Sequence, residues 1–317
     1  MKLPLDNEHM FYYYIYKGIH PMDVPENPNK NNRLAMGIDL VSRFATELTN
    51  GARETLQKSS RTATDIDPRY QDSIVQIKIP SLEEVLGQLE SVAENSILIG
   101  SSEDGSPILM DLTNSEAGSL LILGDPASGK TRLMLSILSS ACLINSPRKF
   151  RFSCITFQLG DIGWLSKKPH AYKITAPYNE KAYETINELA NLVDQRRNGR
   201  EHGPSVILAI DGLDELTNSL DAELLDWLLW TIEKGPQYRI WTIATLDVQK
   251  ENIVQPEVLE RFGTWLVGFM STKPDKGLFS SASYEKRIQY PHRLIPGAQF
   301  GVLVESEWVQ FCVHSLN

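Results

Sequence analysis

Cysteine is scarce in these 317 residues: Cys142, Cys154 and Cys312 are the three, and no CxxC spacing occurs. A cysteine-ligated zinc site is therefore not expected, and the apolar neighbours of all three mark them as reduced core residues. Long apolar runs are missing too. No uncharged stretch approaches the roughly 18 residues of a spanning helix, so no membrane insertion is expected. The opening MKLPLDNEHMFYYYIYKGI has no basic start followed by an apolar core and cleavage site, which excludes a secretory signal and makes a cytoplasmic location the expectation. Positive charge is in deficit, 31 basic residues against 40 acidic for a net of -9. A broadly nucleic-acid-coating surface is excluded by that balance, although a local basic strip or an oligomer's pore is not. The bases clustered near the core, Lys149, Arg151, Lys167 and Lys168, read as solvated loops. Internal repeats and low-complexity tracts are absent.

What the chain does have is length for one α/β core of about 200 residues plus a smaller region. Residues 1–94 read as a mainly helical accessory or interaction region. In it, Phe11 to Tyr16 form an aromatic cluster suited to a core or packed interface, residues 21–33 a polar loop, and residues 36–57 a helix. After a polar segment, QDSIVQIKIP reads as a strand, and SLEEVLGQLESV as a helix with the capping box Ser81–Glu84.

From residue 95 to 317 the pattern alternates. SILIG and PILMDL flank the turn SSEDGS; SLLILG, FRFSCITFQL, SVILAID, RIWTIAT and TWLVGFM are further strands, and FGVLV with WVQFCVH is a closing hairpin. Helices fall at residues 131–144, 179–198 and 220–234, with a short one opened by Pro256. Near-continuous apolar strands alternating with amphipathic helices give an α/β fold with a mostly parallel sheet.

Between the strand SLLILG and the next helix lies Gly124-Asp125-Pro126-Ala127-Ser128-Gly129-Lys130-Thr131, and these residues together with Arg132 are the candidate nucleotide-binding set. The loop matches G-x-x-x-x-G-K-[ST] in full and in the strand–loop–helix context that motif requires. Backbone N–H groups of such a loop, with the helix N-terminus, cradle a β-phosphate. Lys130 supplies positive charge to the β- and γ-phosphates and Thr131 a hydroxyl to Mg²⁺, so ATP and Mg²⁺ are the expected cofactors. VILAID ends in Asp211, the expected Walker B carboxylate, holding Mg²⁺ opposite Thr131. Gly212 stands next, where motor ATPases place a Glu, and Asp214 and Glu215 follow. Two readings stay open: Glu215 or Asp214 swings back as the catalytic base, or hydrolysis is slow or absent and nucleotide serves as structural glue or switch. On RIWTIAT, Thr245 is the candidate γ-phosphate sensor, Thr242 reads as strand packing, and Asp247 and Gln249 are candidates to orient water.

These segments, with KKPHAYKITAP before the long helix and the late Pro296-Gly297, resemble the motor domain of the FtsK/HerA-like superfamily over residues 95–312. The resemblance implies a RecA-like core and a homo-oligomeric ring, six-membered in the family. It further implies Mg-ATP at subunit interfaces, duplex DNA or another polymer as the track, and an arginine lent by a neighbouring subunit. Arg196, Arg197, Arg200 and Arg261 are the candidates for that arginine. Two departures bear on rate: the family's Asp-Glu pair is Asp211-Gly212, and its Ala-Thr-Gln is Ala244-Thr245-Leu246. A second, local resemblance joins LLILGDPASGKT and DGLDEL to the NACHT-type signalling ATPases. The competing reading is thus a catalytically weak, nucleotide-dependent assembly or signalling subunit that binds a partner protein, with residues 1–94 as the candidate surface.

Overall fold

In a computed structural model, the residues described are 13–14, 80–89, 92–160, 162–249, 254–271, 287–288, 291–304 and 307–316. The expected helix at 36–57 and the strand QDSIVQIKIP, apart from its last residue, lie outside them. Strands β1 (Tyr13–Tyr14), β2 (Ser96–Ser102), β3 (Pro107–Asp111), β4 (Leu120–Gly124), β5 (Phe150–Thr156) and β6 (Ala171–Thr175) come first in the chain. β7 (Ser205–Asp211), β8 (Ile240–Asp247), β9 (Thr264–Val267), β10 (Gln299–Val304) and β11 (Glu307–Cys312) follow. Among the described residues they form one sheet in the order β1-β3-β2-β11-β10-β9-β4-β8-β7-β5-β6.

The half from β9 to β6 is parallel throughout. The hairpin β10–β11 runs antiparallel to β9 on one side and to β2 on the other, joining the parallel half to the β2–β3 hairpin. The expected mostly parallel α/β fold is what forms, with the layout of a RecA-like P-loop core. β4 and β7 are not neighbours, because β8 lies between them. β6, which lies within KKPHAYKITAP, is a strand in addition to those expected from sequence.

Helices α1 (Leu82–Gln88), α2 (Lys130–Ile144), α3 (Glu180–Arg197), α4 (Leu213–Ser219), α5 (Ala222–Lys234) and α6 (Pro256–Glu260) accompany the strands. The Ser81–Glu84 capping box closes α1 with both reciprocal bonds, 3.1 Å and 2.9 Å. Leu82 and Val85 then pack α1 on Leu98 and Leu109 of the sheet. α2 covers one face of the sheet through Leu133, Met134, Ile137 and Leu138. α3 and α5 cover the other through Ile186, Val193, Leu228 and Ile232. Burying each such side chain contributes about 1.5–3 kcal/mol, so the two faces hold the strand ends in fixed positions. Cys142 and Cys154 are buried, and burial pushes the Cys142 thiol up to about 12, in keeping with a reduced core role. Among the described residues, no helix is long and apolar enough to cross a membrane.

Candidate functional site

β4 delivers the chain to Gly124 at its C-terminal end, and α2 starts at Lys130, so residues 125–129 form the expected loop from strand to helix. Ala127 (φ 61°) and Gly129 (φ 91°) take left-handed backbone conformations that turn the loop. Pro126 and Ala127 are exposed, whereas Asp125 and Ser128 are buried. Asp125 Oδ2 accepts from Ser271 N–H and Oγ–H, both at 2.7 Å, and Asp125 N–H donates to Phe269 O at 2.9 Å. The loop's entry is thus bolted to the chain following β9.

Its exit is bolted to the segment before β10. Gly297 N–H donates to Ser128 O (3.0 Å), and Arg132 Nη1 donates to Gly297 O (3.1 Å). A Cβ on Gly129 would lie 2.8 Å from Gly297 Cα, so the close approach requires glycine. Arg132, grouped with the phosphate-binding residues from sequence, has its guanidinium on Gly297. Ser271 and Gly297 were not assigned a place in the loop by sequence, and no local signal in the loop itself points to either.

Lys130 Nζ folds back to donate to Gly124 O (2.9 Å) and Asp125 O (2.7 Å). Burial lowers its pKa, while Asp247, Asp125, Asp211 and Asp214 act in the opposite direction. Four carboxylates from separate elements thus favour its charged form.

Asp211 is where the side chains converge. It ends β7, with Thr156 of β5 and Thr245 of β8 as its register partners on either side. Its Oδ1 accepts from Thr131 (2.9 Å) and Thr245 (2.8 Å), and its Oδ2 from Thr156 (3.3 Å). Thr245 Oγ1 also accepts from Gly212 N–H at 2.9 Å. The structure therefore brings Thr131, Asp211 and Thr245 together across three elements. Thr156 was not singled out by sequence, and β5 was expected to run on to residue 159. It stops at Thr156, whose Oγ1 accepts Gln158 N–H (3.0 Å) and turns the chain.

Gly212 has φ 97° and precedes α4, with Asp214 and Glu215 in its first turn. A Cβ on Gly212 would lie 3.0 Å from Glu215 Oε2, so the Glu215 carboxylate lies over the position next to Asp211. Asp214 is buried. On β8, Thr242 and Leu246 are fully buried, and Asp247 accepts the Gln249 N–H (3.0 Å). Of the arginines considered for lending to a neighbour, Arg196 donates to the carbonyls of Tyr238 and Pro204, and Arg197 stacks on Trp230 at 5.6 Å. Arg261 pairs with Glu233, and Arg200 is exposed.

The residues present fit Mg-nucleotide. Magnesium in nucleotide sites takes one or two protein oxygens and completes its shell with phosphates and water. Thr131 and Asp211 supply a hydroxyl and a carboxylate 2.9 Å apart at the loop's edge, and Gly124 has no room for a side chain beside Ser128. Among the described residues there is no cluster of three or more metal-binding side chains that would suggest a different metal.

Residues 88–213 match the model of the FtsK/SpoIIIE family. Among curated proteins, the ESX-5 secretion system protein EccC5 of Mycobacterium marinum is 27% identical over 187 residues, 51% of this chain and 13% of its own. The chain thus spans about an eighth of the length of that relative. The solved structure of Thermomonospora curvata EccC (ATPases 2 and 3), in complex with a signal sequence peptide, superposes with a TM-score of 0.57 at 16% identity, covering 74% of this chain and 43% of that one. The pCW3 conjugation coupling protein TcpA, a monomer form with ATPγS, gives 0.59 at 15% identity over 75% of this chain and 70% of its own. At those identities the superpositions establish the fold.

Proposed function

We propose that this chain, which carries an FtsK/HerA-like P-loop ATPase domain, binds Mg-ATP and hydrolyses it slowly as part of an oligomeric assembly that acts on a protein partner and not on duplex DNA. The observation that carries the nucleotide reading is the convergence of Thr131 and Asp211 beside Lys130 and the loop. Three facts support a protein partner. The matched relative is a secretion system protein, one superposed structure holds a signal sequence peptide, and this chain's net charge is -9.

In this reading Lys130 exchanges the carbonyls of Gly124 and Asp125 for phosphate oxygens. Thr131 and Asp211 would hold the metal, which would supply positive charge against the phosphates. Glu215, lying over Gly212, accepts the proton of the attacking water, and Asp214 balances the Lys130 charge from its buried position. A base carried on the first turn of α4, in place of a residue adjoining Asp211, supports slow turnover. The buried Leu246, where the family has a polar residue, supports it as well. The surface for the protein partner is assigned to residues 1–94, and oligomerisation is an expectation from the family resemblance.

The test is binding of a fluorescent ATP analogue, phosphate release, and assembly state, with and without linear duplex DNA. Expected are Mg²⁺-dependent binding lost in Lys130→Ala, turnover indifferent to DNA, and Glu215→Gln that binds but does not turn over. DNA-stimulated hydrolysis would overturn the partner class, and absence of nucleotide binding would overturn the whole reading.

A further inference from the structure

Three adjacent parallel strands place one residue each in the same register row: Thr156 at the end of β5, Asp211 at the end of β7 and Thr245 two residues before the end of β8. The two threonines are wired alike. Each hydroxyl oxygen accepts one backbone N–H, Gln158 N–H at 3.0 Å for Thr156 and Gly212 N–H at 2.9 Å for Thr245. With a lone pair so engaged, each hydroxyl proton is directed at the carboxylate between them, Thr156 at Oδ2 (3.3 Å) and Thr245 at Oδ1 (2.8 Å). Thr156 is fully buried and Thr245 nearly so, while Asp211, between them, is half-buried.

A carboxylate held on one oxygen can still rotate about its terminal torsion, which is broad and roughly two-fold. Bonds to both oxygens from opposite strands fix its plane. Thr131 approaches Oδ1, so the plane that Thr156 and Thr245 fix is the one that faces the loop. We propose that Thr156 is a positioning residue for the metal site: it clamps Asp211 Oδ2 against rotation and so sets the affinity of the Thr131–Asp211 pair for Mg²⁺ in the nucleotide complex. The inference rests on the Mg-ATP reading above. Thr156 itself touches neither phosphate nor metal; it acts through Asp211.

Thr156→Val keeps the β-branched shape that suits a strand end and removes the hydroxyl. Affinity for the fluorescent nucleotide is measured with saturating Mg²⁺, with EDTA, and across a Mg²⁺ titration, using wild type, Thr156→Val and Thr156→Ser. Loss of one hydrogen bond to a charged group predicts about a tenfold to hundredfold higher Mg²⁺ requirement in Thr156→Val. Nucleotide affinity in EDTA is expected to stay unchanged, and Thr156→Ser is expected to restore the wild-type Mg²⁺ requirement. Equal Mg²⁺ requirement in wild type and Thr156→Val overturns the clamp. So does an equal loss of affinity with and without Mg²⁺, which would mark a merely structural role, and so does failure of Thr156→Ser to restore binding. If wild type itself binds nucleotide without any Mg²⁺ dependence, the Mg-ATP reading falls and takes the clamp with it; a defect confined to the variant removes the clamp alone.

Discussion

Gly212 stands where motor ATPases carry a glutamate, and its backbone explains why that exchange is not a simple vacancy. At φ 97° it lies where an L side chain is disfavoured by about 1–2 kcal/mol. Any Cβ there would also press on Glu215 Oε2 at 3.0 Å. The sequence shows the missing Glu and the nearby Glu215. It does not show that the turn into α4 commits position 212 to glycine, since a φ angle has no local signature beyond the glycine itself. We expect Gly212→Glu to lower turnover instead of restoring a fast ATPase, and to destabilise the fold by roughly 1–2 kcal/mol. Phosphate release together with chemical denaturation checks this, and a faster Gly212→Glu enzyme would sink the argument.

The element-scale feature least legible in the sequence is the hairpin β10–β11. Its strands were readable, but its place between β9 and β2 depends on pairings some 200 residues apart in the chain, which no local periodicity encodes. The same holds for β8 slipping between β4 and β7, which lines up Thr156, Asp211 and Thr245. Beyond β11 the chain brings His314 against β2 and α2. Its Nε2 lies 2.8 Å from Ser101 Oγ, its Nδ1 is buried without a hydrogen-bond partner among the described residues, and burial, then Arg132, lower its pKa from 6.5 to about 4. The unfolded chain therefore takes up a proton near pH 6.5 that the folded chain refuses until about pH 4. The stability at stake, of order 3 kcal/mol, is fully present above pH 6.5 and is lost as pH falls towards 4. His314→Gln removes the titrating group while keeping a polar atom for Ser101. Its stability should fall less steeply between pH 6.5 and 4, as denaturant midpoints measured across that window would read. An unchanged slope would place the acid sensitivity elsewhere.

At the scale of the molecule, the strands and the loop motif locate the candidate nucleotide site, but its charge balance emerges only on folding. Asp125, Asp211, Asp214 and Asp247 come from the loop, β7, α4 and β8, and all four act electrostatically on the ammonium of Lys130. Widely spaced acids in a chain of net charge -9 give no hint of that shared influence. Free ATP would bring about four negative charges to this site, and repulsion within a partly buried site is weakly screened. Magnesium removes about half of the ligand's charge and draws on Asp211 as an attraction. Mg-ATP at a hundred times its Kd should stabilise the fold by about 2.7 kcal/mol, which for a core of some 200 residues is a Tm rise of roughly 5–10 °C. ATP with EDTA at the same concentration should raise Tm by much less, and Lys130→Ala should abolish both shifts. Equal shifts with and without Mg²⁺ would mean that Lys130 and the loop's N–H groups outweigh the four carboxylates.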